Sequence, residues 1–391
     1  MKIAYFAFDQ FVPSKHAGFV HTYSIVKALK ERGNNITLYA IPAHPKLYNP
    51  FRWSDNYSGI DIHYVRFTVS YRPEILAFAP LNILSYYKTL EALKKQNPDI
   101  IHDRFHLPNP FSIKIFEKLG IPKILEVNSL YIEDEAYKGI KAKKAERDRR
   151  TQFEQASAII TQTETLAIMI RGLTNKPVFI IPNGVDTEQF RPDIGVRGLR
   201  RELGVSEEDV VITFVGSFKK WHGVHHIPDI ARKLKTERRV KFLLIGSGEL
   251  FDDVKRSKTD DMILLGAKSH DEIPKYLALS DILIAPFDDE YFKKLGFWWN
   301  PVKLFEYISS GKPIVSYDYG EIRKIVRGAG LLAEPGNIND FVEKLGYLVE
   351  CEDERRRMGE IGRSIALKEY DWVNRAEEVM ETYRRVLSSD L

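Results

Sequence analysis

Short apolar runs rich in β-branched and aromatic residues alternate along this chain with longer stretches of helical periodicity, the pattern of βαβ units and parallel sheets. The first half reads as strands at residues 2–8, 36–41, 100–103, 123–127, 158–161 and 178–181. A second series starts near Val210, with strands at 211–215, 241–245, 262–265, 282–285 and 313–317. Between the two series, Pro182-Asn183-Gly184-Val185-Asp186 and Phe190-Arg191-Pro192 cluster proline and glycine, which marks a turn and an interdomain linker. A chain of 391 residues also exceeds what one hydrophobic core supports. The expectation is an α/β protein of two Rossmann-like parallel-sheet domains, 1–190 and 191–370, facing each other across a cleft. Residues 371–391 read as a terminal helix. Its periodicity does not choose a partner, and packing back on the N-terminal domain is the arrangement expected.

Open parallel sheets bind ligands beyond the carboxyl ends of their strands. Chemistry is therefore sought at 9–18, 102–106, 126–129, 216–223, 246–249, 266–268 and 286–300.

Composition narrows the class. The chain is 44% apolar and 29% charged, as in a soluble globular protein, and no window approaches the ~20 apolar residues of a membrane span. The N-terminus enters a strand-like run without a signal-peptide core, so a cytoplasmic location is expected. One cysteine, Cys351, excludes an intramolecular disulfide and a cysteine-built zinc site. Net charge is only +4, yet residues 141–150 carry six basic side chains against two acidic ones. That run is either a solvated helix face or a contact for an anionic acceptor or the inner face of a membrane. Nothing calls for a nucleic-acid partner.

The most informative stretch is Asn300-Pro301-Val302-Lys303-Leu304-Phe305-Glu306-Tyr307-Ile308-Ser309-Ser310-Gly311-Lys312-Pro313. Asn300 is a favoured N-cap, Pro301 suits the first helical position, and Gly311 ends the helix before the next strand. A helix start there offers free N–H groups and a positive dipole end, on which a diphosphate binds readily. Lys303 and Glu306 share a face, the cation near the phosphates and the carboxylate placed to accept from ribose hydroxyls. On spacing alone, a surface Lys–Glu pair on an ordinary capped helix is as good a reading.

This segment resembles the donor-site signature of the family 4 retaining glycosyltransferases, in its Ser/Asn-Pro-x-Lys-Leu-Phe-Glu-Tyr variant. The resemblance continues in Ile181-Pro182-Asn183-Gly184-Val185-Asp186, in 215–223 (Val-Gly-Ser-Phe-Lys-Lys-Trp-His-Gly) and in Leu244-Ile245-Gly246-Ser247-Gly248-Glu249. It covers essentially the whole chain, more specifically in the C-terminal half. It implies the two-domain GT-B fold and a nucleoside-diphosphate-sugar donor, with no cofactor and no metal. It also implies that Glu306 grips the ribose and that backbone amides around Asn300 and Val302 hold phosphate.

Two departures from the family pattern stand out. The loop after the first strand of the second domain usually supplies an arginine and a lysine for the leaving diphosphate. Here Ser217 and His222 occupy those places, leaving Lys219, Lys220 or Lys303 to supply the charge. A glutamate that touches the transferred sugar is replaced by Trp298, and the Trp298–Trp299 pair either stacks on a sugar face or fills an apolar gap. In the N-terminal half, the segment 13–21 resembles the family's glycine-bearing loop. There Gly18 permits close approach of a ligand, while His21 is a sugar contact or a helix-terminal histidine. The segments 102–106 and 126–129, with a later acid such as Glu133, resemble a family subgroup. In it Arg104 orients acceptor or phosphate and Glu126 or Asn128 binds sugar hydroxyls, unless Arg104 and Glu126 form a buried ion pair. Many family members carry a histidine where Asn128 stands.

Other chemistries lack their residues. Gly246-Ser247-Gly248-Glu249-Leu250-Phe251 has Phe251 where a dinucleotide fingerprint needs its third glycine. Walker, zinc-protease and Gly-x-Ser-x-Gly motifs are missing. Asp288-Asp289-Glu290 reads as a solvated loop rather than a metal clamp. The expected enzyme is thus a retaining, metal-independent glycosyltransferase acting on a glycan, polysaccharide or lipid-linked sugar hydroxyl. An epimerase or phosphorylase on the same fold, or a noncatalytic nucleotide-sugar-binding subunit, is the alternative. Lys303, Lys220, Arg104 and Glu126 are the catalytic candidates. Gly18, Gly216, Ser217, Lys219, His222, Gly248, Gly266, Lys268, Asn300, Val302 and Glu306 are assigned to the donor, and His21, Asn128, Trp298 and Trp299 to the acceptor or sugar.

Overall fold

A computed structural model describes residues 1–14, 17–43, 53–65, 79–107, 109–130, 140–196, 198–292 and 296–390. It divides into two compact units, Met1–Pro182 together with Trp372–Leu391, and Asn183–Asp371. Glu133 and the first four residues of the apolar stretch 75–84 lie outside the described residues.

The first unit is built on eight strands: β1 (Lys2–Val12), β2 (Asn35–Pro42), β3 (Ser54–Tyr57), β4 (Ile60–Tyr64), β5 (Ile100–Arg104), β6 (Lys123–Val127), β7 (Ala158–Thr161) and β8 (Val178–Ile180). Their order is β3-β4-β2-β1-β5-β6-β7-β8, parallel throughout except for the β3–β4 pair. The central strands β5, β6 and β7 are buried along their whole length, as expected of parallel strands covered on both faces. Ile3, Tyr5, Ile100 and Ile124 face one core, which the helix Trp372–Ser388 completes with Trp372, Ala376, Val379 and Tyr383.

In the second unit six parallel strands follow: β9 (Val210–Val215), β10 (Val240–Ile245), β11 (Met262–Gly266), β12 (Ile282–Ala285), β13 (Ile314–Tyr317) and β14 (Gly330–Ala333). Their order, β11-β10-β9-β12-β13-β14, is the 3-2-1-4-5-6 arrangement of a dinucleotide-binding sheet. Strand order reverses between β9 and β12, and a crevice opens beyond their carboxyl ends. The loops 216–223 and 286–288 leave from those two ends. In the first unit the corresponding reversal lies between β1 and β5, which carry Asp9 and Arg104.

Three strands escape the sequence pattern. Ser54-Asp55-Asn56-Tyr57 is polar because β3 is an antiparallel edge strand, β4 follows it through a tight turn at Ser58-Gly59, and β14 is only four residues long.

Candidate functional site

The helix Val302–Ser309 buries nearly its whole surface, Lys303 and Glu306 included. It is fixed to the end of β9 by Tyr307, whose hydroxyl accepts from the Val215 N–H at 2.8 Å. Asn300 is not its N-cap, because Pro301 holds the position with no side-chain cap bond. The Asn300 side chain is spent elsewhere. Its Oδ1 accepts from the Asn183 backbone N–H at 2.7 Å, and its carbonyl accepts from Asn183 Nδ2 at 2.6 Å. The helix start therefore keeps its N–H groups free of a protein side chain, which favours an anion there.

Lys303 is 8% exposed and stands over the Phe214 ring, 4.4 Å from its centroid. A Cβ on Gly216 would lie 2.5 Å from its Nζ, so the glycine is what lets the ammonium approach the strand end. Burial lowers the Lys303 pKa to about 7 against the pull of Glu306. His222 is pushed down to about 2, by burial first and then by Lys303, so its neutral ring accepts from Lys303 Nζ at 3.0 Å through Nδ1. His222 is thus a neutral partner of the cation rather than a second cation.

The remaining candidates of this unit lie on the segments that follow β9, β10, β11 and β12. Lys219 lies over Trp221, 4.6 Å from the ring centroid, and Lys220 is an exposed partner of Glu290 at 3.8 Å. Trp299 packs edge-on to Trp221 and tilted on His222 and Phe292, which fills an apolar gap, while Trp298 is half-buried. Ser217 and Gly248 belong to two backbone-paired loops, with Phe218 N donating to Ser247 O and Leu250 N to Phe218 O. Gly266 ends β11, and Lys268 is half-buried two residues on.

One residue absent from the sequence reading joins them. His270 donates from Nε2 to Glu306 Oε1 at 2.8 Å. Burial opposes its protonation, but the hydrogen bond and charge of Glu306 outweigh that and raise its pKa. It stands just beyond the 266–268 window, in a turn whose capping box joins Ser269 and Glu272. Asp288 is the other correction. It is 2% exposed, not solvated, with Oδ2 3.2 Å from His225 Nε2 and 4.0 Å from His226 Nε2.

In the first unit Glu126 is a hub. Its Oε2 accepts from the Tyr5 hydroxyl at 2.6 Å and His102 Nε2 at 2.8 Å, and its Oε1 from His21 Nε2 at 2.7 Å, Arg104 at 3.1 Å and Asn128 Nδ2 at 2.7 Å. Five donors exhaust the roughly four lone-pair sites of a carboxylate, leaving none for a sugar. Although burial opposes ionisation, the charges of His21 and Arg104 hold its pKa well below the usual range. Arg104 also contacts Asp9 through Nε and a terminal nitrogen, each at 3.3 Å. With the His102 Nε2 proton given to Glu126, Nδ1 accepts from the Tyr383 hydroxyl at 2.7 Å. Gly18 lies in the first turn of the helix Ala17–Glu31, where a Cβ would fall 2.6 Å from Gln10 Oε1.

Comparison with known proteins adds the chemistry. Residues 197–365 match the family model described as glycosyl transferases group 1, and residues 18–189 that of glycosyltransferase family 4. The N-acetyl-alpha-D-glucosaminyl L-malate synthase of Bacillus anthracis is 24% identical over 369 residues, 92% of this chain and 90% of its own. The UDP-Gal:alpha-D-GlcNAc-diphosphoundecaprenol alpha-1,3-galactosyltransferase of Escherichia coli is 24% identical over 320 residues, 77% of this chain and 78% of its own. Among solved structures, Anabaena Alr3699/HepE in complex with UDP and glucose superposes with a TM-score of 0.72 at 18% identity, over 98% of this chain and 99% of that one. The sucrose-phosphate synthase of Thermosynechococcus elongatus gives 0.74 at 16% identity, over 99% of both. Among the described residues, no helix is long and apolar enough to cross a membrane.

Proposed function

We propose that this chain, a GT-B glycosyltransferase by its paired domain matches and its architecture, moves a sugar from a nucleoside diphosphate sugar to an acceptor hydroxyl with retained anomeric configuration. The observation that carries the reading is one helix turn in the second unit, where a buried Lys303 and a buried Glu306 stand beside a glycine-lined strand end.

In this reading the diphosphate meets the N–H groups at Val302 and its neighbours together with Lys303. Preorganised charge of that kind is usually the largest catalytic contribution, and it needs no metal on the phosphates. Glu306, turned by His270, accepts from the ribose hydroxyls. Lys219 and Lys220 sit on the exposed rim and add field rather than contact. In the first unit Glu126 positions His21, Arg104 and Asn128, and these three with the Gly18 turn select the acceptor. The basic helix Ile140–Gln155 suits an anionic, phosphate-bearing acceptor at a membrane surface. A UDP-hexose is the donor to try first, since UDP is the nucleotide named for two of the similar proteins.

Calorimetric titration with UDP, GDP and ADP tests the nucleotide. Release of nucleoside diphosphate with and without added sugar or lipid-linked acceptors tests the transfer. Undiminished UDP affinity in Glu306→Ala would refute the site, and sugar-nucleotide conversion without any acceptor would refute transfer.

A further inference from the structure

Three side chains near the donor-side loop have no part in the site above. His225 and His226 fill the single turn Val224–His226, just after the glycine that closes the loop 216–223, and Asp288 follows β12. Their ligand atoms all lie within 4.8 Å of one another. The Asp288 carboxylate is buried, and both imidazoles converge on its single oxygen Oδ2, at 3.2 and 4.0 Å. The other oxygen, Oδ1, accepts from the Glu290 N–H at 2.9 Å, the kind of outer contact that fixes a metal-ligating carboxylate.

Backbone packing holds the donors in place beforehand. A Cβ on Gly223 would fall 1.5 Å from the Pro286 carbonyl oxygen, and the Asp288 N–H donates to the Trp221 carbonyl at 3.2 Å. The turn bearing the histidines is therefore pressed against the segment bearing the aspartate. The imidazole side chains are 29% and 26% exposed, which leaves a solvent-side entry. The rings stand 4.0 Å apart, centroid to centroid.

We infer that His225, His226 and Asp288 form a site for a divalent transition ion, zinc or its cobalt surrogate, that clamps the loop 216–223 to the segment after β12. Two imidazoles and one carboxylate suit zinc rather than magnesium or calcium, which favour oxygen-only shells. Bonds of about 2.0–2.2 Å in a tetrahedral site put neighbouring donors roughly 3.3–3.5 Å apart. The His225–Asp288 edge is already close to that, and the His226 edge closes by about half an ångström. Solvent completes the shell. The ion stays off the phosphates; it acts by holding the strip that carries Lys219, Lys220 and His222.

The test uses the full chain without a histidine tag, dialysed against chelator and titrated with Co2+ while the visible d–d absorption is followed. One saturable equivalent, displaced by Zn2+, is expected, together with a higher melting temperature in Zn2+. His226→Gln should weaken Co2+ binding at least about tenfold, and His225→Gln with His226→Gln should abolish the absorption. Absence of a saturable equivalent, or equal binding by the double variant, would overturn the site and leave an imidazole–carboxylate pair only. Both substitutions are at partly exposed positions, so the result does not hinge on the folding of Asp288→Asn. The readout is also independent of whether the chain transfers sugar.

Discussion

Lys303 Nζ lies 3.0 Å from His222 Nδ1, and because burial and the lysine's charge keep the ring neutral, the imidazole nitrogen accepts from the ammonium. Among the described residues the ammonium has this one hydrogen-bond acceptor and otherwise faces the rings of Phe214 and Phe287, so an arriving diphosphate replaces little and gains a weakly solvated charge.

This gives a pH dependence. The folded pKa of Lys303 is about 7, below its ordinary 10.5, and a bound diphosphate raises it again. Nucleotide binding should therefore take up a proton, and UDP affinity should fall as pH climbs from about 7 to 9. Stability moves the other way. Between pH 7 and 10.5 the unfolded chain binds the extra proton, so this group's penalty on folding is relieved as pH rises. Titration calorimetry in buffers of different ionisation enthalpy measures the uptake, and a flat affinity profile would contradict it.

Removing the charge should cost rate before it costs structure. Lys303→Met is expected to lower kcat by about 100- to 1000-fold. Thermal stability should hold or rise, since a buried cation is replaced by an apolar chain of similar length. A variant with wild-type kcat would exclude Lys303 from leaving-group stabilisation.

Glu306 and His270 separate by experiment. Glu306→Gln should weaken UDP binding roughly 10- to 100-fold, the value of one or two hydrogen bonds to a charged acceptor. His270, its folded pKa raised, adds stability that is complete below its ordinary value near 6.5 and is lost as pH rises through the folded pKa. His270→Ala should abolish that part of the stability–pH curve, which urea unfolding across pH 6 to 9 would record.

The hub in the first unit is expected to be structural in its size of effect. Glu126→Ala strands Arg104, two histidines and the Tyr5 hydroxyl, and should destabilise by about 3–5 kcal/mol. Tyr383→Phe removes only the partner of His102 Nδ1 and should cost about 1–3 kcal/mol. Urea midpoints check both, and a loss under 1 kcal/mol for Glu126→Ala would contradict the saturated carboxylate.

Much of this was legible in residue order. Apolar runs ending in Gly216 and Ala285 announced buried parallel strands, and Pro301 to Gly311 announced the helix with Lys303 and Glu306 on one side. What stayed hidden depended on partners distant in the chain. Asn300 looks like a cap until Asn183, 117 residues away, takes its side chain. The run Asp288-Asp289-Glu290 looks solvated because charge runs usually are, and only β12 ending beneath the turn at Val224 buries its first member. His270 carries no local signal, since its role comes from a carboxylate on another element. Likewise, Arg104 beside Glu126 was open between ligand contact and ion pair until Tyr5, His21 and His102 were seen to fill the same carboxylate.

The helix Trp372–Ser388 belongs to the first unit although the whole of the second is encoded before it. On the ribosome, β1 to β8 must wait with one face of their sheet only partly covered, by the helix Ala17–Glu31, while Asn183–Asp371 is translated. Only then does Tyr383 reach His102. The earliest-made half is thus the last to be sealed, and in that interval it is the half a chaperone would hold.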